Sequence, residues 1–166
     1  RPVTVRPMAD DDAAAVLAIY AEGIASGTAT FETSAGTWPA WDAGHLADHR
    51  LVAVDEDSDA VLGWVAVSAV SGRCVYAGVV EVSIYVAAAG RGRGIGGALL
   101  RALVESSEAG GVWTLQAGVF GDNAASLALL AHHGFRQVGV RERLGELDGQ
   151  WRDVVLLERR STRTGT

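Results

Sequence analysis

The sequence predicts one α/β domain built on a mixed sheet of about seven strands. Three observations carry that expectation. Apolar runs of strand length alternate along the chain with apolar stripes of helical spacing. A length of 166 residues with 49% hydrophobic residues is enough for one well-buried core and too little for two. The segment from Val79 to Leu100 reads as a buried strand, a glycine-rich turn and a helix N-terminus in direct succession. The domain is expected over residues 1–158, with 159–166 a disordered polar tail.

In chain order, Val3 to Arg6 reads as a short strand. Asp10, Asp11 and Asp12 then supply N-cap candidates for a helix whose buried stripe is Val16, Ile19, Tyr20 and Ile24. Trp38 to His49 predicts a second helix. Leu51 to Val54 and Val61 to Ser68 are apolar runs on either side of Asp55-Glu56-Asp57-Ser58-Asp59, which predicts an antiparallel hairpin with a solvated acidic turn. Val79 to Val86 is the central strand, Ile95 to Glu108 the helix after the glycine turn, and Val112 to Phe120 the next strand. Ala124 to His133 predicts a short helix stopped by Gly134. Phe135 to Val140 and Trp151 to Leu157 complete the sheet, with Trp151 expected in the core.

Composition narrows the partners. A net charge of -6 and an isoelectric point near 5.1 argue against nucleic acid and anionic membrane, which are held by clustered Lys and Arg. The single cysteine, Cys74, excludes an intrachain disulfide and fits a reducing cytoplasm. Neither a signal-peptide core nor an apolar span of about 18 residues is present. His45 and His49 stand one helical turn apart without a third ligand nearby, so they read as a surface pair and no metal is expected.

The glycine turn is built to hold a phosphate. Glycines 92, 94, 96 and 97 let successive N–H groups point at one anion, and the helix starting at Ile95 adds its positive dipole end. Arg91 and Arg93 bring formal charge to the same turn. A triphosphate loop would need Gly-Lys followed by Ser or Thr, which is absent. A dinucleotide fingerprint is formally matched by Gly92, Gly94 and Gly97, yet it should open the domain and be followed by an acid at ribose distance. The first acid beyond the next strand is Asp122.

The third pattern is Arg or Gln, two residues, Gly, one residue, then Gly or Ala, and Arg91-Gly92-Arg93-Gly94-Ile95-Gly96 matches it. It resembles the pyrophosphate loop of the GCN5-related N-acetyltransferase (GNAT) family. Ala18-Ile19-Tyr20, Thr28 to Glu32, Val80-Glu81, Asn123 with Ser126, Gly134-Phe135, and Gly145 through Gly149 to Trp151 and Asp153 resemble the phosphinothricin and methionine-sulfoximine branch. The resemblance implies a mostly antiparallel sheet with helices on both faces, acetyl-CoA as cosubstrate, and a homodimer. For the cofactor it implies Ile84, Tyr85 and Val86 on the strand, Arg91, Gly92, Arg93, Gly94, Ile95, Gly96 and Gly97 in the loop, and Asn123, Ser126 and His132 beyond. For the acceptor it implies Phe31, Ser71, Gly72, Arg73, Tyr76 and Ser83 around Glu81.

Glu81 is also conspicuous by chemistry. Strand alternation puts it on one face with Ser83 and Tyr85, opposite Val80, Val82, Ile84 and Val86. Acetyl transfer needs a deprotonated amine, so a partly desolvated carboxylate there fits the general base that the resemblance implies. Arg73 could hold a substrate carboxylate or phosphinate through two parallel hydrogen bonds, though a solvated loop arginine fits the sequence equally well. Two positions depart from the family pattern: Leu130 stands where relatives carry Tyr or His, and Leu147 where they carry Lys. The expected activity is acetylation of the primary amine of a small amino acid or amino-acid-like toxin. Acetylation of a protein N-terminus or a polyamine, and a non-catalytic acyl-CoA-binding module, are the alternatives.

Overall fold

A computed structural model describes residues 2–166; Arg1, the first residue of the expected domain, lies outside them. The elements run β1 (Val3–Pro7), α1 (Ala13–Ala25), α2 (Trp38–Ala43), β2 (Leu51–Asp55), β3 (Val61–Ala69), β4 (Val79–Val86), α3 (Ile95–Ala109), β5 (Thr114–Phe120), α4 (Ala124–His132), β6 (Arg136–Leu147) and β7 (Gln150–Arg160). All seven strands share one sheet in the order β1-β2-β3-β4-β5-β7-β6. Every neighbouring pair is antiparallel except β4 and β5. Their parallel pairing needs a crossover, which α3 supplies. The expected seven-stranded, mostly antiparallel α/β fold is the one observed.

The sheet is covered on both faces. On one, Val80 and Val82 of β4 with Ile84 and Val86 pack with Leu99, Leu100 and Leu103 of α3. These leucines are fully buried, and truncating one to Ala would cost about 2 to 5 kcal/mol. On the other, Val16 and Ile19 of α1 and Trp41 of α2 meet Trp64 and Tyr85. The pleat thus sends Val80, Val82, Ile84 and Val86 into one core and Tyr85 into the other.

β4 and β5 pair only over Val79↔Thr114, Val80↔Leu115 and Glu81↔Gln116. Beyond that rung each follows its antiparallel neighbour: β4 stays with β3 as far as Val86↔Gly63, while β5 stays with β7 as far as Phe120↔Val154. The sheet therefore opens after Glu81, well before the position near Val86 where opening is expected from the sequence.

Several expectations are corrected. The helix from Trp38 ends at Ala43, because Gly44 caps it, and His49 adopts a positive φ of 66°. His45 and His49 are consequently not a surface pair. His45 stacks on Trp41 with 4.0 Å between ring centroids, and His49 Nδ1 lies 2.7 Å from Ser106 Oγ. Asp12 is buried, and its carboxylate accepts from Arg6 and from the Ala9 N–H instead of capping α1. β6 and β7 extend far beyond the expected strands and join through Asp148-Gly149, both with positive φ (52° and 77°), as a two-residue hairpin requires. Trp151 is 61% exposed and not a core residue. β7 reaches Arg160, so the boundary expected at 158 falls inside a strand. The next residue, Ser161, is buried with its hydroxyl donating to Glu108. No helix among the described residues is long and apolar enough to cross a membrane.

Candidate active site

The gap between the diverging strands is a cavity of about 370 Å³. At its floor, on the last paired rung, Gln116 Nε2 donates to Glu81 Oε1 at 3.1 Å. Glu81 is exposed, where a partly desolvated carboxylate is expected from the sequence. Ser83, Ile84 and Tyr85 line one wall, and Ala117 through Phe120 the other. Val86 lies outside the lining.

Two aromatic groups shape the walls. Phe31 meets Phe120 edge-on at 4.7 Å and lines the cavity. Tyr85 stacks on Trp64 at 5.0 Å and meets Tyr20 edge-on at 5.1 Å. Burial, followed by the nearby Tyr20, pushes the Tyr85 phenol well above its ordinary range; the Thr30 hydrogen bond works against this. Tyr85 therefore stays neutral and serves as a packed wall.

Asn123 joins two parts of the site. Its Oδ1 accepts from the Ser126 N–H at 3.2 Å, capping α4, and its Nδ2 donates to the Thr28 carbonyl at 3.2 Å. The loop carrying Phe31 is thereby tied to α4. Asn123 and Ser126 both line the cavity. So does Leu130, 2% exposed, which offers no proton to a leaving group.

The glycine turn sits where β4 runs into α3. Gly92 and Gly94 hold φ values of 78° and 73°, which only glycine adopts cheaply. A Cβ on either would meet nothing within 4 Å, so open space lies above the turn. Among the described residues, no main-chain acceptor takes the N–H groups of Gly92, Gly94, Ile95, Gly96 or Gly97. Orphan donors at the positive end of a 15-residue helix fit an anionic pyrophosphate. Arg91 is exposed, whereas Arg93 Nη1 donates to the buried Asp55 at 2.8 Å. Behind the turn, Gly96 lies against Leu129 and Gly97 against His133 and Arg101. His133 is the histidine beside Gly97; His132, the one singled out from the sequence, is exposed and stands 5.2 Å from it between ring centroids.

Other expected residues are not brought to the cavity. Ser71, Gly72, Arg73 and Tyr76 lie outside its lining; the Arg73 guanidinium rests 5.8 Å from the centre of the Tyr76 ring. The cation on the cavity wall is Arg141 of β6, beside the register break between Arg141 and Gly145. Arg141, Gln116 and Asp55 have no place among the residues expected from the sequence. Gln116 could have been found from its place in the strand after α3. No local pattern marks the other two.

Comparisons with known proteins agree with this geometry. The model of the acetyltransferase (GNAT) family matches residues 16–135. A phosphinothricin N-acetyltransferase of Alcaligenes faecalis is 37% identical over 94% of this chain and 81% of its own length. A Pseudomonas aeruginosa L-methionine sulfoximine/L-methionine sulfone acetyltransferase is 28% identical over 93% and 92%. The crystal structure of a GNAT superfamily phosphinothricin acetyltransferase from Sinorhizobium meliloti in complex with acetyl-CoA superposes with a TM-score of 0.88 at 30% identity, covering 99% of this chain and 91% of that one. With the family matched across the core of the fold and relatives matched almost end to end, this chain belongs to the GNAT acetyltransferases, enzymes that draw their acetyl group from acetyl-CoA.

Proposed function

We propose that the enzyme acetylates the primary amine of a small amino acid or amino-acid analogue of the phosphinothricin or methionine-sulfoximine kind. The observation that carries this reading is the cavity itself. It encloses space for one small molecule, with the Glu81–Gln116 pair at one side and Arg141 on its wall. A carboxylate and a guanidinium in one small cavity suit an acceptor that is an amine at one end and an anion at the other. The names of the relatives above support the same class.

Bound acetyl-CoA supplies an activated thioester. Glu81 takes the proton of the attacking amine, and the Gln116 amide holds the carboxylate in one orientation. Beyond Glu81 the main chain of β4 has left β5, so its donors stand ready to polarise the reacting carbonyl. The N–H groups of the 92–97 turn hold the pyrophosphate end, and Asn123 with Ser126 flanks the path between the two. Transfer is direct. Cys74 is exposed on the far loop and has no part in it.

The reading includes a homodimer in the cytoplasm. Val70, Val75 and Tyr76 are 43%, 62% and 45% exposed on one loop, an apolar patch suited to a second copy. Sedimentation at micromolar concentration should find dimers; monomers alone would remove this part of the reading.

A turnover screen with acetyl-CoA over free amino acids, phosphinothricin, methionine sulfoximine, polyamines and peptides tests the substrate class. The free amino acids or their analogues should lead, and converting the carboxylate to an amide should lower kcat/KM. Equal efficiency for acid and amide would move the assignment to peptide or polyamine acetylation.

A further inference from the structure

We infer that Arg101 and His133 form a recognition site for the 3′-phosphate of CoA, separate from the pyrophosphate loop. The inference rests on the reading that the 92–97 turn holds the pyrophosphate.

The two side chains converge on one glycine. A Cβ built on Gly97 would lie 3.2 Å from His133 Nε2 and 3.3 Å from Arg101 Nη1, so both polar heads crowd the same point on α3. They arrive there from different elements. Arg101 is one turn along α3 from Gly97, and His133 closes α4. The two helices are brought together at Gly96, where a Cβ would stand only 2.8 Å from Leu129 Cδ2. This is a fixed juxtaposition, with Gly96 and Gly97 making room for it.

Arg101 shares a surface pocket with Glu105 and Glu108, yet Glu108 is paired with Arg159. Arg101 makes no ion pair among the described residues, although the chain carries 20 acidic side chains against 14 basic ones. A second imidazole, His132, stands 5.2 Å from His133 between ring centroids. Burial first, then His132 and Arg101, lowers the affinity of His133 for a proton. The cluster thus holds unshared donors around one point, and a bound dianion would accept from them.

Its place selects the ligand. The turn that receives the pyrophosphate ends at Gly97, and the cluster begins there. In CoA the 3′-phosphate and the 5′-pyrophosphate hang from the same ribose, so an anion site adjoining the pyrophosphate loop matches the second phosphate of that sugar. The thioester and pantetheine carry no charge to satisfy it.

Calorimetric titration with CoA and with 3′-dephospho-CoA tests the site without turnover. The wild-type protein should bind CoA about 10- to 100-fold more tightly, the worth of a hydrogen bond to a charged group. Arg101→Gln and His133→Gln should each shrink that ratio while leaving the Kd for 3′-dephospho-CoA unchanged, which also reports that the variants are folded. Equal wild-type affinity for the two ligands would overturn the inference, and so would variants that weaken both ligands alike. Gly94→Val separates the two claims. It should weaken both ligands and preserve their ratio. Unchanged affinities in that variant would remove the loop reading, and this inference with it.

Discussion

Arg93 Nη1 lies 2.8 Å from Asp55 Oδ2, which ties the glycine turn before α3 to the turn between β2 and β3. Asp55 is only 3% exposed. Its other oxygen accepts the N–H groups of Asp57 and Ser58 at 2.8 and 3.1 Å. One carboxylate therefore closes its own turn and braces the loop proposed to hold the cofactor's pyrophosphate.

The brace has a cost when removed. Asp55→Asn keeps the turn's acceptor oxygen but loses the charge facing Arg93, so the 91–97 segment must be ordered by the ligand instead. Ordering one such side chain costs about 0.5 to 1.5 kcal/mol. The Kd for acetyl-CoA should rise about three- to tenfold, with kcat at saturation unchanged. A binding titration beside steady-state kinetics checks both halves; a fall in kcat at constant Kd would give Asp55 a different role.

Asp55 also sets an acid limit on stability. The Arg93 hydrogen bond, followed by the Ser58 and Asp57 N–H groups, holds its carboxyl at about 2, against an ordinary 3.8. The folded state thus binds this proton less readily than the unfolded chain. The stabilisation is fully present above about pH 4 and is lost as pH falls through about 2. Thermal melts of wild type and Asp55→Asn should differ at neutral pH and converge across that window. A constant gap down to pH 2 would mean that the charge is not what stabilises.

Glu81 is the carboxylate at the floor of the cavity, and Gln116 is its partner. Glu81→Gln preserves shape and removes basicity. Turnover should fall about 100-fold or more, the usual worth of a general base, while acetyl-CoA binding is retained. The acidic limb of the pH–rate profile should vanish with it. A limb that persists in the variant would place the base elsewhere.

The parts of this enzyme legible in its sequence are those written in local order. Val79 to Leu100 encodes strand, turn and helix without reference to anything distant, and β4, the glycine turn and α3 stand where that order puts them. Phe31, Asn123 and Ser126 were reached through resemblance and do line the cavity. What remained hidden depends on pairing between distant segments. The early parting of β4 from β5 follows from which antiparallel neighbour each strand keeps. Asp55 looked like one more acid in a solvated run because its partner lies 38 positions away. Arg141 reaches the cavity only because β6 is long and breaks register there. The length of β6 was itself readable. Asp148-Gly149 is a strong two-residue hairpin signal between Leu147 and Gln150.

The wall contributed by Phe31 can be moved from behind. A Cβ on Gly145 would stand 2.9 Å from two carbons of the Phe31 ring, closer than unbonded carbons settle. Gly145 lies in β6 and has no positive φ, so Gly145→Val fits the backbone and acts through the contact alone. The ring must leave its edge-on position against Phe120, an arrangement worth about 0.5 to 1.5 kcal/mol. The displaced ring changes the part of the cavity proposed for the acceptor, whereas the 92–97 turn and the Arg101–His133 cluster are untouched. The KM for the amine should therefore rise up to about tenfold, with the Kd for acetyl-CoA held constant. Titration with acetyl-CoA and kinetics over a range of amine concentrations separate the two. An unchanged amine KM would show that Phe31 walls a part of the cavity the acceptor does not use, and a changed Kd for acetyl-CoA would place the ring on the cofactor's path instead.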